Sequence, residues 1–376
     1  MSAHILITGG AGFIGSFLVD HFLARGDAVR VLDVLDSQVH ATGPPAHPLP
    51  PDVELEVADV RDSCAVRRAL QGIDVVVHCA AAVGVGQSLY RSQHYADTNV
   101  GGTAALLDAL AERRQPLARL VVLTSMTSYG EGLYRRPSDG TLRRVPARRR
   151  EDIDRYGWDI VDRETREVLQ PVPTPEDAEL LGRNVYALTK RYEEELALAL
   201  GDVHGFPVAC LRLFNVYGPR QSLSNPYTGV LAIFLGRLLG GHRPVVYEDG
   251  RQTRDFVSVH DVVRAVDLAV THPGAVGQVF NVGTGVGRAI GDIARTLARL
   301  LGCETRVPTP TGEFRTGDIR HCLADTTRIA HRLGFVPTVD WESGLSELIE
   351  WARTMPPAVD GFARAEDELR AFGLVR

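Results

Sequence analysis

The chain reads as an α/β protein: a doubly wound parallel sheet with helices on both faces, followed by a smaller mixed α/β lobe. Three observations predict this. Short apolar runs of strand length alternate with helical patterns through residues 1–214. A glycine-rich turn, GGAGFIG, stands at the first strand-to-helix junction. After about Asn215 the sequence becomes richer in Gly and Pro and its elements become short and mixed.

The first apolar run, 4–8 (HILIT), opens into the glycine turn, and an amphipathic helix is expected over 13–25. Further buried-strand patterns follow at 28–33, 53–57, 75–79, 120–124 and 208–213. Helices are expected between them, notably at 98–114 and 187–200. Later helices are expected at 231–239, 259–271, 290–301, 327–333 and 341–354. Residues 255–285 are expected to return to the first domain, which leaves 215–254 and 286–376 as the lobe.

Bulk properties narrow the function classes. The 376 residues suggest two domains, or one with a lobe. A net charge of −6 argues against a general nucleic-acid binder. No apolar run approaches the ~20 residues of a membrane span, and the N-terminus runs directly into a strand. A cytoplasmic protein without membrane or nucleic-acid partners is therefore expected. The five cysteines have neither metal-ligand nor redox spacing, so reduced thiols and no metal are expected.

One segment fits poorly. Residues 131–183 interrupt the step from LVVLTS to NVYALTK, and so long a connection is uncommon in a compact domain. Its first half is arginine-rich (RRPSDGTLRRVPARRR) and its second is acidic (QPVPTPEDAE). The segment reads as a solvated excursion of self-neutralising charge, with a lid or subunit contact beside the active site as the functional alternative.

The glycine turn points to a dinucleotide. Gly9 permits the tight turn, Gly12 lets a pyrophosphate approach, and Gly15 lets the helix pack on the strand. Phe13 and Ile14 complete the helix start, whose N–H groups favour phosphate. Asp33 ends the second strand, where a carboxylate accepts ribose hydroxyls and repels a 2′-phosphate. The expected cofactor is NAD rather than NADP. Asp59 and Val60, ending the third strand, are placed to flank adenine.

Of 41 basic residues only one is lysine, Lys190. It stands four residues after Tyr186 on a predicted helix, so the two side chains share a face. A phenol of ordinary pKa, near 10, is a poor base at neutral pH. An adjacent ammonium, together with the positive nicotinamide, would lower it, and a drop of ~3 units needs roughly 4 kcal/mol of differential stabilisation. A compact ammonium suits this task better than a guanidinium fork.

GGAGFIG, YALTK and the strand-end Ser125 resemble the extended short-chain dehydrogenase/reductase family, and within it the nucleotide-sugar epimerases and dehydratases. HCAAAVG, NVGGT, TSMTSYG, LRLFNVYGPRQ, DGRQTRDFVSVHD, FNVGTG and RTGDIRH carry the resemblance along nearly the whole chain. It implies a Rossmann-type domain holding NAD, with Ala80, Ala81 and Asn99 beside the cofactor. It implies Ser125 on the substrate hydroxyl, Tyr186 as base, and Lys190 on the nicotinamide ribose. It further implies a nucleoside-diphosphate sugar in the lobe, with Asn215, Arg254 and Arg315 on the diphosphate and Asp318 beside them. Tyr247 and residues 225–227 are expected near the nucleotide. A homodimer through the helices at 98–114 and 187–200 is also implied.

The dehydratases and decarboxylases of this family carry carboxylates just after the catalytic serine or threonine. Here those positions are Met126 and Thr127, and neither is a carboxylate acid or base. Thr127 is expected to face the substrate. C4 epimerisation needs only Ser125, Tyr186, Lys190 and NAD, and it is the expected reaction. A 4-ketoreductase using NAD(P)H is the alternative, with a non-catalytic dinucleotide sensor behind both. GPRQSLSNPYTGV and the long insertion resemble bacterial dTDP-L-rhamnose 4-epimerases and their relatives. In many of those relatives the insertion has two Cys-bearing turns similar to a zinc ribbon. The matching places here read RRPSDG and DRETRE.

Overall fold

The computed structural model describes residues 2–40, 47–227, 229–356 and 360–375. Seven parallel strands form the first sheet in the order Gln278–Val282, Val208–Leu213, Arg119–Ser125, Val75–His78, His4–Thr8, Ala28–Asp33, Glu54–Val57. Alternation along each strand splits the core. Ile5, Ile7, Val29 and Val31 face the helices Phe13–Ala24 and Val259–Thr271. Leu6, Leu32, Val76 and Leu120 face Ser63–Ala69, Gly102–Ala111 and Val185–His204. Both faces are covered, as continuous apolar strands require. His4–Thr8 lies where the strand order reverses, and the crevice beyond the strand ends opens there.

The expected helix at 98–114 begins as a π-helical turn, Ala96–Gly101, before the α-helix Gly102–Ala111. Of the returning segment, the strand Gln278–Val282 and the helix Val259–Thr271 join the first sheet's layers, while Thr253–Ser258 does not.

Thr253–Ser258 belongs to a second sheet: Asn215–Tyr217, Thr253–Ser258, His321–Ala324, Gln170–Thr174, Leu133–Arg135, Leu142–Arg144, with Gly287–Ala289 paired to Thr253–Ser258. Three of these strands come from the insertion. The solvated excursion expected of residues 131–183 is therefore corrected: three of the seven strands of this sheet are built from it, next to strands some 150 residues away in sequence.

The reason is pairing of buried charge across the junction. Glu131 is buried and accepts hydrogen bonds from the Arg320 backbone N–H, the Tyr134 hydroxyl and Arg148. Arg148 reaches Glu248 at 2.7 Å, and Arg320 reaches Glu248 at 2.8 Å and Asp249 at 2.5 Å. The turns RRPSDG and DRETRE also meet: Ser138 donates to Glu167 at 2.7 Å, and Arg136 lies 3.6 Å from Asp162.

Arg148→Met should strand the Glu131 and Glu248 carboxylates and lower the unfolding free energy by about 3 kcal/mol. Arg150→Ala, in the exposed pair with Asp154, should change it by less than about 0.5 kcal/mol. Urea denaturation of the two variants checks the contrast.

Candidate active site

A cavity of about 870 Å³ runs from the first sheet's carboxyl edge into the lobe. At Gly9, Gly10 and Gly15 of the turn the backbone is packed too closely for a side chain. A Cβ on Gly15 would lie 2.3 Å from the Gly9 carbonyl oxygen. Gly9 itself has φ of +69°, and a Cβ there would meet the Ala80 backbone nitrogen at 2.8 Å. The backbone is thereby left open to a phosphate, with the helix Phe13–Ala24 starting just behind it.

Asp33 ends its strand with Oδ2 accepting from the Ala11 N–H at 3.0 Å and Oδ1 from the Leu35 N–H at 2.9 Å. Each oxygen retains acceptor capacity toward the cavity. Asp59, Val60, Ala80 and Ala81 line the same end, with Gly12, Phe13 and Ile14. Asp59 is held below the usual carboxylate range chiefly by its hydrogen bond from Arg61. These residues fit a dinucleotide: a bare-backbone cradle, a helix start and a carboxylate at the second strand.

Asn99 departs from the expected set. It does not line the cavity. Fully buried, it accepts from the Ala82 N–H at 2.7 Å and donates to the Ala82 carbonyl and the Thr189 hydroxyl. Its amide fixes the loop after Val75–His78, and its carbonyl oxygen keeps capacity for one further acceptor bond.

The structure brings Ser125, Tyr186 and Lys190 together at the cavity's centre. Asn184 caps the helix Val185–His204 by accepting from the Ala187 N–H at 2.8 Å. That start fixes where Tyr186 and Lys190 emerge. Ser125 ends the strand Arg119–Ser125, its hydroxyl accepting from the Thr127 N–H at 3.2 Å and the Thr127 hydroxyl at 3.0 Å. The Ser125 hydroxyl also favours the ionised form of the Tyr186 phenol.

The electrostatics differ from expectation. Burial raises the Tyr186 phenol above its ordinary value, and the opposing effects of Lys190 and Ser125 do not overcome it. Lys190 does lower the phenol, as expected, but in the chain by itself burial outweighs it. A second reason lies one turn further on. Lys190 Nζ donates to the Leu123 carbonyl at 3.0 Å and to Glu193 Oε2 at 2.8 Å, and Glu193 raises the phenol in turn. Nearby His78 is held between the Thr8 and Thr103 hydroxyls, and burial, then Lys190, lowers it to about 3.

At the lobe end, Asp318 lies between Arg254 at 2.7 Å and Arg315 at 2.6 Å. Burial would raise this carboxyl, but Arg315 and Arg254 hold it well below the usual range. Two cations against one anion leave positive charge facing the cavity, and Arg315 also stacks on Tyr247. The cavity wall includes Thr127, Asn215, Tyr247 and residues 225–227. The side-chain carbonyl oxygens of Asn215, Gln221 and Gln252 are buried there without a partner, as in a site built for a polar ligand.

Sequence reasoning missed the last helix, Phe362–Ala371, whose Phe362, Glu366 and Leu369 line this end. Glu368 accepts from the hydroxyls of Tyr90 and Tyr227 at 2.8 and 2.7 Å, tying the helix across the cavity. The buried Leu369 within an otherwise charged segment was the available signal.

Comparison with known proteins agrees with this geometry. A model described as the NAD dependent epimerase/dehydratase family matches residues 5–152 and 164–283, its break falling inside the insertion. The chain is 35% identical over 351 residues to a dTDP-L-rhamnose 4-epimerase of Burkholderia thailandensis, covering 92% of this chain and 94% of that protein. It is similar in structure to a UDP-glucose 4-epimerase of Thermotoga maritima solved with UDP-glucose. The TM-score is 0.75 at 28% identity, covering 93% of this chain and 98% of the other. A dTDP-glucose 4,6-dehydratase of Streptomyces venezuelae, solved with NAD bound, matches with TM-score 0.74 at 25% identity, covering 93% and 97%.

Asp33→Asn should weaken NAD binding by about tenfold, the equivalent of one charge-assisted hydrogen bond. It should also narrow the preference for NAD over NADP. Calorimetric titration of both cofactors measures the two effects.

Proposed function

We propose, for a chain that belongs to the NAD dependent epimerase/dehydratase family, that it inverts C4 of a dTDP- or UDP-linked sugar through a transient 4-keto sugar. The observation that carries this reading is the Ser125–Tyr186–Lys190 group at the cavity's centre with no carboxylate at positions 126 and 127. Met126 packs with Tyr129, Phe214 and Cys322, and the Thr127 hydroxyl is spent on Ser125. Neither supports a proton transfer at C5 or C6. The relatives named for 4-epimerisation of dTDP- and UDP-sugars favour the same reading.

In this reading NAD, when bound, supplies the hydride acceptor and then the donor. Tyr186 takes the proton of the C4 hydroxyl and later returns it. Ser125, its hydroxyl oriented by Thr127, holds the substrate oxygen. Lys190 stabilises negative charge on the phenol. Arg254 and Arg315 hold the diphosphate, with Asn215 at its edge, and Tyr247 flanks the base.

Purified protein incubated with dTDP-, UDP- and GDP-sugars should interconvert C4 epimers, read by NMR, without consuming added NAD(P)H. Stoichiometric NAD(P)H oxidation on a 4-keto sugar would establish the ketoreductase instead. Lys190→Arg should lower kcat by on the order of a hundredfold with an unchanged circular dichroism spectrum; near-full activity would remove the basis for this assignment.

A homodimer is part of the same proposal. Leu188 and Tyr192, a turn apart on Val185–His204, are 37% and 52% exposed, and apolar residues so placed suit a helix–helix contact. Light scattering at micromolar concentration should give twice the 41.0 kDa chain mass; a monomer mass would rule the dimer out.

A further inference from the structure

Residues 193–195 are three consecutive glutamates, which in sequence look like a solvated helix face. The structure gives them three different fates. Glu195 is exposed and pairs with Arg191. Glu194 is buried and fully engaged, by Arg212 at 2.5 and 2.9 Å and by the Thr124 hydroxyl. Glu193 is wholly buried, holds Lys190 through Oε2, and leaves Oε1 without a partner. A half-satisfied buried carboxylate is costly, so its presence beside Lys190 calls for an account.

The surroundings isolate the charge. The strand Arg119–Ser125 presents the Leu123 carbonyl and the Thr124 hydroxyl. Val208–Leu213 presents Cys210, pushed well up by burial, and Arg212, committed to Glu194. Toward Lys190 stand His78, lowered to about 3, and Cys79, raised to about 12, both mainly by burial. Tyr129, hydrogen-bonded to Arg212, is a neutral phenol raised by burial. Asp97 and Asp108 of the packed helical segments face solvent. Lys190, Glu193 and Tyr186 are therefore the members of this cluster whose charges can offset one another near neutral pH.

We infer that Glu193 is a positioning residue for the Tyr186–Lys190 pair: its carboxylate anchors the ammonium beside the Leu123 carbonyl and sets the net charge that the phenol meets. With Glu193 ionised, its charge offsets part of the Lys190 field at Tyr186. With Glu193 neutral, the full ammonium field favours the phenolate. Burial pushes Glu193 up to about 7 even beside Lys190, so the change falls in the working pH range. The inference rests on Tyr186 being the base of the proposed reaction, but the charge coupling can be read without substrate.

Protein labelled with 13Cζ-tyrosine is titrated by NMR from pH 7 to 11, the Tyr186 signal being assigned by its loss in Tyr186→Phe. In Glu193→Gln the phenol should titrate lower than in wild type by about one unit, a tenfold change in its ionisation constant. Glu193→Met, of similar length and apolar, should give the same shift if the amide perturbs the fold. With a turned-over sugar, the acid limb of kcat should move the same way while KM changes little. An unmoved phenol titration in both variants would overturn the inference, whatever the enzyme does. A moved titration in a protein that turns over no nucleotide sugar would uphold the coupling and refute the proposed function.

Discussion

A single buried ammonium organises the centre of this molecule. Lys190 sits 4% exposed beneath the sheet edge, and a charge so placed survives only with bonded partners. The Leu123 carbonyl and Glu193 are those partners, which ties the helix Val185–His204 to the strand Arg119–Ser125 in one register. The ties continue outward. Glu194 binds Arg212, Arg212 donates to the Tyr129 hydroxyl, and Tyr129 donates to Asn281 at 2.7 Å. Asn281 donates to the Thr174 carbonyl of the insertion. The helix that presents Tyr186 is thus fixed by a polar chain reaching both sheets, and an arginine in place of Lys190 would have to bury five donors where two acceptors wait.

The second sheet is held to the first by charge as much as by apolar contact. Asp255, fully buried on the strand Thr253–Ser258, accepts from the N–H groups of Thr284 and Gly285 at the end of FNVGTG, from the Ala324 N–H and from the Thr284 hydroxyl. On the other flank the Glu131–Arg148–Glu248–Arg320 group joins insertion to lobe. Because the insertion completes the lobe's sheet, the ligand-facing pair Arg254 and Asp318 is braced from behind by it: Arg254 donates to the carbonyls of Ile319 and Arg320, while the Arg320 N–H donates to Glu131. Substitutions within the insertion are therefore expected to act on the proposed diphosphate end through this bracing.

What was legible in sequence was local. GGAGFIG reads directly because the turn closes on itself, Gly12 and Gly15 both packing on the Gly9 carbonyl, and His4–Thr8 and Ala28–Asp33 read because they are short, mainly apolar runs. The insertion was not legible. QPVPT carries two prolines and scores as loop, yet Gln170–Thr174 is a central strand, paired to Leu133–Arg135 on one side and His321–Ala324 on the other. That pairing depends on partners far away, and short strands with distant partners leave little periodicity to detect. The bonds of Asn99 to Ala82 and Thr189 were not legible either, because they depend on the helix Val185–His204 packing beside it. Glu193 was hidden in a charge run, where only the turn of the helix distinguishes a solvent face from a buried one.

For the proposed epimerisation, the balance at Tyr186 has a consequence. A base that must take a proton and give it back within one turnover gains nothing from an extreme pKa, because what speeds one transfer slows the other. Burial raises the phenol, Lys190 lowers it, and Glu193 weakens Lys190. Lys190 alone would favour the phenolate and retain the 4-keto sugar; burial alone would leave the phenol unable to accept. The carboxylate at 193 is the adjustable element, since it can be gained or lost by a single proton near neutral pH while Lys190 and the apolar walls stay as they are. A pair of opposed buried charges is expensive in stability, and a reversible proton transfer is a reaction for which such a balance is worth keeping.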